Sequence, residues 1–279
     1  MEVRVRVAVF LCAMAANLAG AQTAPAQQSI EARLRGPVLM LRGLYNGSRL
    51  DFNADGRLKN LAGIMPFSLS AIQVENVRLT DSRLEIDGVR EGLKFTQPAQ
   101  PDEKVQISAA AWDPREQVRI LVARDRHRPE ALDQALAAIF SSGFDDALAT
   151  AAPDFWRPWL HHNLHPDDPS DQLHAALDED GSNSCSQPGL TPPQLMQAPS
   201  PQFSIPAQMT HDQGTVTVHL TVEPDGQTQR LFLVRPLGMG LDEQAIAAVR
   251  RYRFNPGTVN GTPVSCEMNV EVSFRRGQP

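Results

Sequence analysis

The sequence has no hydrophobic run long enough to cross a membrane. Its most apolar stretch, residues 7–16, is ten residues long, whereas a membrane-spanning helix needs about 20. Two arginines precede this stretch and Ala19-Gly20-Ala21 follows it, which is the pattern of a cleaved export signal. We therefore predict that residues 1–21 are a signal peptide cleaved after Ala21, that the mature protein resides in the periplasm, and that it does not insert into the membrane. An uncleaved membrane anchor is the alternative.

Positively charged residues are fewer than negatively charged ones. The chain has 26 lysines and arginines against 32 aspartates and glutamates, which gives a net charge of −6. Polyanions are bound through clustered positive charge. The composition therefore argues against nucleic acid and anionic lipid as the main partners.

Cysteine is scarce. The chain has three cysteines, and Cys185 and Cys266 are the two that follow the predicted cleavage site. In an oxidising compartment two cysteines favour a disulfide, which would close a loop of about 80 residues and stabilise the fold by roughly 4–5 kcal/mol. The alternative is two free thiols, with Cys266 buried as a small apolar side chain.

The motifs of the common enzyme classes are absent too. The sequence contains no nucleophile elbow, no phosphate-binding loop and no pair of catalytic carboxylates, so we predict a protein that is not an enzyme and needs no cofactor. The candidate for metal chemistry is His161 with His165, which are four residues apart, as two metal ligands on one helical face would be. Pro166 ends any helix there, and the His-Glu-x-x-His pattern is missing. A metal-dependent enzyme is therefore the alternative.

The first part of the chain is typical of an α+β fold. Residues 22–29 form a polar leader that we expect to be disordered, and residues 30–165 form a β-rich antiparallel module that carries a small helical segment. Alternating patterns predict one hairpin from residues 38–45 and 48–52, and a second within residues 77–88. The role of this module is not indicated by any motif.

A proline-rich and acidic stretch, residues 166–200, follows and has the composition of a linker. Beyond it, residues 214–222 alternate apolar and polar side chains, which predicts a strand with one buried face and one wet face. A second strand ends at Pro236, a helix begins near Leu241 and runs to an Asn-Pro-Gly stop, and residues 264–274 alternate again.

Short motifs occur in this last part of the chain in a fixed order. An opening Pro-x-Tyr-Pro-x-x-Ala motif is matched with phenylalanine in place of tyrosine and serine in place of the second proline. A glycine begins the first strand, Asp-Gly forms a turn, Gly-Leu-Asp opens the helix, and Tyr-x-Phe-x-Pro follows it. The residues that carry these motifs are Phe203, Ala207, Gly214, Asp225, Gly226, Gly240, Leu241, Asp242, Ala245, Tyr252, Phe254 and Pro256. Together, residues 201–275 resemble the C-terminal domain of the TonB family.

The resemblance implies a three-stranded antiparallel sheet braced by helices, with a last strand that receives an extended segment of an outer-membrane receptor or another envelope protein. Such an edge offers unpaired N–H and C=O groups for strand addition. By position, the role falls to Ser265, Glu267, Asn269, Glu271 and Ser273. Solvated strands carry the same residue types to avoid aggregation, so a purely structural role is the alternative. A homodimer through the last strand would compete for the same edge.

TonB proteins have an uncleaved membrane helix and a long proline-rich span, and this sequence has a cleavable signal and a β-rich module in their places. We therefore expect a periplasmic TonB-like interaction protein, accessory to outer-membrane transport. One alternative is a membrane-anchored energy transducer. The other is a ligand-binding or metal-dependent protein that uses the TonB-like domain as a docking handle.

Overall fold

The computed structural model describes residues 26–35, 38–97, 105–177 and 189–276. The predicted signal peptide and Cys185 therefore lie outside the described residues. The first described element is helix α1, residues 26–34. Residues 26–29 are therefore helical, and the prediction that they are disordered is wrong. The helix forms because Ile30 and Leu34, one turn apart, are buried against the first sheet.

Seven strands form the first sheet. They are β1 (Leu39–Leu41), β2 (Arg49–Phe52), β3 (Ala71–Leu79), β4 (Arg83–Thr96), β5 (Gln106–Ala111), β6 (Gln117–Ala123) and β7 (Phe140–Ser141). The order is β2-β6-β4-β3-β1-β7, and β5 also pairs with β4. The pairs are antiparallel except for β2 with β6, which is parallel.

The hairpin predicted within residues 77–88 is confirmed, since β3 and β4 are antiparallel. Across the turn, the Thr80 hydroxyl donates to the Arg83 carbonyl and accepts from the Arg83 N–H. The hairpin predicted from residues 38–45 and 48–52 is wrong. β1 pairs with β3 and β7, and β2 pairs with β6. Leu50 and Phe52 alternate as a strand should, but their burial against β6 is a contact between distant segments, which a local pattern does not reveal.

Six further α-helices follow in the described residues, besides a short 3-10 helix at Phe67–Leu69. They are α2 (Ala131–Ile139), α3 (Asp146–Ala151), α4 (Arg157–Leu164), α5 (Gln172–Leu177), α6 (Ile205–Thr210) and α7 (Leu241–Val249). No helix in these parts of the chain is long and apolar enough to cross a membrane.

The C-terminal part contains β8 (Leu190–Thr191), β9 (Gln194–Gln197), β10 (Gly214–Val222), β11 (Thr228–Arg235), β12 (Arg253–Asn255), β13 (Gly257–Val259), β14 (Thr262–Val264) and β15 (Cys266–Phe274). A three-stranded antiparallel sheet has the order β11-β10-β15. There are also two small sheets: β9 pairs with β12, and β13 lies between β8 and β14 in a three-stranded sheet.

Two elements differ from the sequence-based expectation. Where a polar linker was predicted, over residues 166–200, the structure has α5, β8 and β9, because these segments pack or pair with the C-terminal part. Helix α7 ends at Val249 and does not continue to the Asn-Pro-Gly stop. The residues before that stop form β12, whose pairing with β9 replaces the helical hydrogen bonds.

One hydrophobic core is shared by the two halves of the chain. Phe95 of β4 and Trp156 and Trp159 of the α4 region pack in the same cluster as Leu233 and Phe274 of the C-terminal sheet. A second, smaller core lies between α1, α2 and the first sheet. The C-terminal sheet is therefore supported by residues from the N-terminal part of the chain.

The backbone also joins the halves, because the loop after β11 pairs with the end of β4. The N–H of Phe95 donates to the carbonyl of Leu237 at 3.1 Å, and the N–H of Met239 donates to that of Leu93 at 2.8 Å. Gly238 between them has φ +97°, and a Cβ there would lie 2.0 Å from the Leu93 carbonyl oxygen. A side chain at this position would separate the two segments.

Candidate partner-binding edge of the C-terminal sheet

The last strand, β15, forms one edge of the three-stranded sheet. It pairs along its whole length with β10, from Cys266 opposite Val222 to Phe274 opposite Gly214. On its other side it pairs with no strand of the described residues. The opposite edge, β11, is partly occupied, because Leu233 N–H donates to the Phe155 carbonyl at 2.9 Å.

The two faces of the sheet are both covered. Helix α7 packs against β10 and β11, and the apolar residues Val216, Val218, Leu220 and Val222 are fully buried. The face that was predicted to be solvent-exposed is exposed only in part. His219 and Thr221 on this face are buried, since α4 and α5 pack against this side of the sheet. The outer edge of β15 is therefore more accessible to a partner than either face of the sheet.

Asn269 is held in place by this packing. Its amide nitrogen donates to the carbonyl of Ala176 in α5 at 2.7 Å, and its amide oxygen lies 2.9 Å from Nδ1 of His219. The His219 ring stacks on Phe232 with centroids 4.6 Å apart. Asn269 thus connects β15 to the neighbouring strand and to α5.

The other four predicted contact residues differ in their surroundings. Ser265 precedes β15, and its hydroxyl donates to the carboxylate of Glu223 at 2.6 Å. Glu267 is half-buried and lies 3.8 Å from the guanidinium of Arg230. Glu271 and Ser273 are exposed. On the other face, Met268 and Val270 are half-buried, so the edge presents two partly open apolar side chains.

The TonB-like motif residues stabilise the fold around this edge. Phe203 packs edge-to-face on Phe274 with centroids 5.4 Å apart. Asp242 accepts hydrogen bonds from the N–H groups of Leu237 and Gly238, both at 2.7 Å. Burial, followed by the nearby Glu243 charge, raises the pKa of Asp242 to about 8.

The remaining motif residues are also structural. Gly226 (φ +78°) forms the turn between β10 and β11, and a Cβ there would lie 2.1 Å from the Phe254 carbonyl oxygen. Asp225 accepts from Gln227 N–H at 2.9 Å within the same turn. Gly214 begins β10, and Gly240 precedes α7 with φ +77°. The other members of the set are also buried or half-buried, and they are Ala207, Leu241, Ala245, Tyr252, Phe254 and Pro256.

The metal candidates are engaged with separate carboxylates. His161 Nε2 lies 2.9 Å from Asp168, and His165 Nε2 lies 2.7 Å from Asp146. The two rings have centroids 5.0 Å apart. Within the described ranges, no group of three or more histidines, cysteines, aspartates and glutamates is arranged to hold a metal ion.

Cys266 is the first residue of β15 and is fully buried. Its predicted partner, Cys185, lies outside the described residues. The pairing between them stays a prediction.

Two residues at the end of the edge were missed by sequence reasoning. Arg275 and Arg276 directly follow β15 and line an open depression together with Phe203. The adjacent pair of arginines after the last alternating strand was the available signal. A second omission is Glu243, which connects α7 to the N-terminal part of the chain.

Comparison with known proteins matches the last part of the chain to a family. The model of the Gram-negative bacterial TonB protein C-terminal family matches residues 199–275. The solution NMR structure of the Pseudomonas aeruginosa TonB C-terminal domain matches with 18% identity and a TM-score of 0.26, covering 34% of this chain and 93% of that chain. No curated protein matches the chain at a significant level. At that TM-score the structural match supports no conclusion alone, but the family match and the ordered motifs agree: residues 199–275 form a C-terminal domain of the TonB family.

Proposed function

We propose that the protein acts in the bacterial envelope, as an accessory to outer-membrane transport, and binds an extended segment of a partner by strand addition to β15. TonB C-terminal domains interact with outer-membrane receptors, so a receptor or another envelope protein is the class of partner. The observation that carries the proposal is the outer edge of β15, which no strand of the described residues pairs. The family is not enzymatic, and the proposal assigns the chain no catalytic role.

The surroundings of the edge refine the set of contact residues. Glu271 and Ser273 are exposed and would flank the added segment, while Met268 and Val270 offer it apolar contacts on the other face. Asn269, which is bonded to α5 and to His219, would support the edge without contacting the partner through its amide. In this proposal Glu267 and Ser265 lie at the end of the strand near the predicted disulfide.

Export and oxidation are parts of the same proposal. Cleavage after Ala21 would release the chain into the periplasm, where a bridge from Cys185 to Cys266 would form. Because Cys266 is the first residue of β15, the bridge would fix one end of the binding edge.

A photo-crosslinking amino acid tests the edge directly. Placed at Glu271, on β15, it should form an adduct with an outer-membrane protein in intact cells. Placed at Gln229, an exposed residue on β11, it should form none, because that edge belongs to the strand whose Leu233 is bonded to Phe155. Adducts at Gln229 but not at Glu271 would show that the partner binds the β11 edge and not the β15 edge. An adduct of two copies of this chain at Glu271 would show that a homodimer uses the edge instead.

A further inference from the structure

We propose that the end of β15 carries a carboxylate-binding subsite formed by Arg275 and Arg276, and that it receives an aspartate or glutamate of the segment added to β15. This inference rests on the proposed strand addition and goes beyond it. It specifies a charge that the partner must carry and the place along the edge where that charge must lie.

The position of the subsite is the first argument. An open depression of about 770 Å³ is lined by Gln202, Phe203, Gln208, Arg275 and Arg276. It begins where β15 ends, because Phe203 packs on Phe274, the last residue of the strand. A segment that pairs with β15 as far as Phe274 would therefore end beside the depression.

The charge of the subsite is the second argument. Neither Arg275 nor Arg276 forms an ion pair with a carboxylate of the described residues. Asp212, which is close in sequence to the Arg276 contact Gln213, is already paired with Lys94 at 2.8 Å. Two guanidinium groups thus stand at the end of the edge without a compensating anion among the described residues, and a carboxylate is the group whose geometry matches a guanidinium.

One of the two arginines is fixed in place. The backbone N–H of Arg276 donates to the side-chain oxygen of Gln213 at 3.1 Å, and its guanidinium donates to the carbonyl of Gln208 in α6. A side chain held in this way loses less conformational freedom when it binds an anion. Both arginines are exposed, so the site is open to a partner.

The rest of the edge makes the position of the acid specific. Glu271 and Glu267 lie further along β15, and an acidic residue of the partner placed beside them would meet like charge. The same residue at the Arg275 end would meet opposite charge. Backbone pairing alone does not fix the placement of a segment on an edge, whereas this distribution of charge favours placements that bring an acid to the arginines.

Fluorescence anisotropy with synthetic peptides and the full oxidised chain tests the inference. The probes are ten-residue peptides of alternating valine and threonine with blocked termini, which carry one glutamate or one lysine at the first or at the last position. With the unmodified protein, one of the two glutamate peptides should bind about fivefold more tightly than its lysine counterpart at low salt, which is the upper range for an exposed ion pair. The preference should decline as salt is raised.

Charge reversal supplies the decisive comparison. In the double variant Arg275→Glu with Arg276→Glu, the lysine peptide should become the tighter ligand. The control Arg251→Glu changes an exposed arginine beyond the end of α7 and should leave the preference unaltered. Equal binding of glutamate and lysine peptides, or a preference that survives the double reversal, would overturn the subsite and leave strand addition intact. Failure of every peptide to bind would instead contradict both the strand addition and the subsite.

Discussion

Trp156 donates its indole N–H to the carboxylate of Glu243 at 3.1 Å, which joins the helical part of the N-terminal half to the first turn of α7. The same carboxylate accepts the backbone N–H of Ser68 at 3.2 Å and its hydroxyl at 2.8 Å. Ser68 and Trp156 are fully buried. Glu243 therefore satisfies three donors from two separate segments of the N-terminal half.

Replacing Glu243 with alanine should lower the free energy of unfolding by about 2–3 kcal/mol, because it leaves buried donors without an acceptor. Urea denaturation followed by tryptophan fluorescence measures the change. Asp154→Ala is the matched control: its carboxylate pairs with Arg157 on the surface, and its loss should cost about 0.5 kcal/mol or less. Equal midpoints for the two variants would show that the Glu243 contacts do not stabilise the fold.

The shared core predicts that the two halves unfold together. Scanning calorimetry of the full chain should give one transition whose calorimetric and van't Hoff enthalpies agree. A fragment of residues 199–276 should be less stable, since removal of α4 and α5 exposes His219, Thr221 and Phe232. Two resolved transitions in the full chain would contradict this prediction.

Asp242 predicts a specific pH dependence. Its pKa is about 8 in the folded protein and about 4 in an unfolded chain. The folded state therefore holds the proton more tightly, and this contribution to stability is present below about pH 4 and is lost as pH rises toward 8. The unfolding free energy should fall by up to about 1.4 kcal/mol per pH unit in that window, relative to an Asp242→Asn variant that lacks the titration.

The comparison between wild type and variant isolates this one group, because all other titrating groups are common to both proteins. The variant should be the less stable protein at acid pH, since the amide nitrogen of asparagine would replace one carboxyl oxygen and face the N–H of either Leu237 or Gly238. A difference between the two that does not change from pH 5 to pH 8 would refute the raised pKa.

Asp145 should have the opposite dependence. Its carboxylate accepts two hydrogen bonds from Arg42, both at 2.6 Å, and caps α3 by accepting from Leu148 N–H at 2.9 Å. The hydrogen bonds from Arg42 hold the pKa of Asp145 well below its usual range. Asp145→Ala should cost about 1 kcal/mol near pH 7, the usual value of a helix cap.

Because the folded-state pKa of Asp145 is lowered, its contribution is present above the unfolded pKa of about 4 and is lost as pH falls below it. The gap between wild type and Asp145→Ala should therefore narrow in acid. Thermal melts at pH 7 and pH 3 measure it, and a gap that widens in acid would contradict the assignment.

Intact mass spectrometry of protein from a periplasmic fraction checks the processing steps. The expected species begins at Gln22 and is two hydrogens lighter than the reduced chain, as a bridge between Cys185 and Cys266 requires. Full-length protein found in the membrane fraction would favour the energy transducer. A mass equal to that of the reduced chain would indicate two free thiols.

Sequence reasoning was most accurate where the pattern was local. The alternation in β10 and β15 and the turn at Gly226 follow from period and turn chemistry within a few residues. The family motifs located the C-terminal domain for the same reason, because each lies within one element or one turn.

The errors have a common cause, which is contact between distant segments. Leu50 and Phe52 have a strand pattern, but nothing local indicates β6 as their partner. The polar side chains His219 and Thr221 alternate as a solvated face does, yet α4 and α5 cover them. Glu243 lies in the first turn of α7, and its role depends on Ser68 and Trp156, which are far away in sequence.

The pairing of β4 with the loop at Gly238 also constrains how the chain reaches its native state. The last residues of β4 bond to a segment that lies far along the chain from them, since Leu93 and Phe95 contact Met239 and Leu237. Contacts of such large sequence separation form late and slow the folding of a domain. Until Leu237 and Met239 are available, the first sheet retains an unsatisfied edge at Leu93 and Phe95. The first sheet is therefore completed only when the C-terminal part of the chain packs onto it.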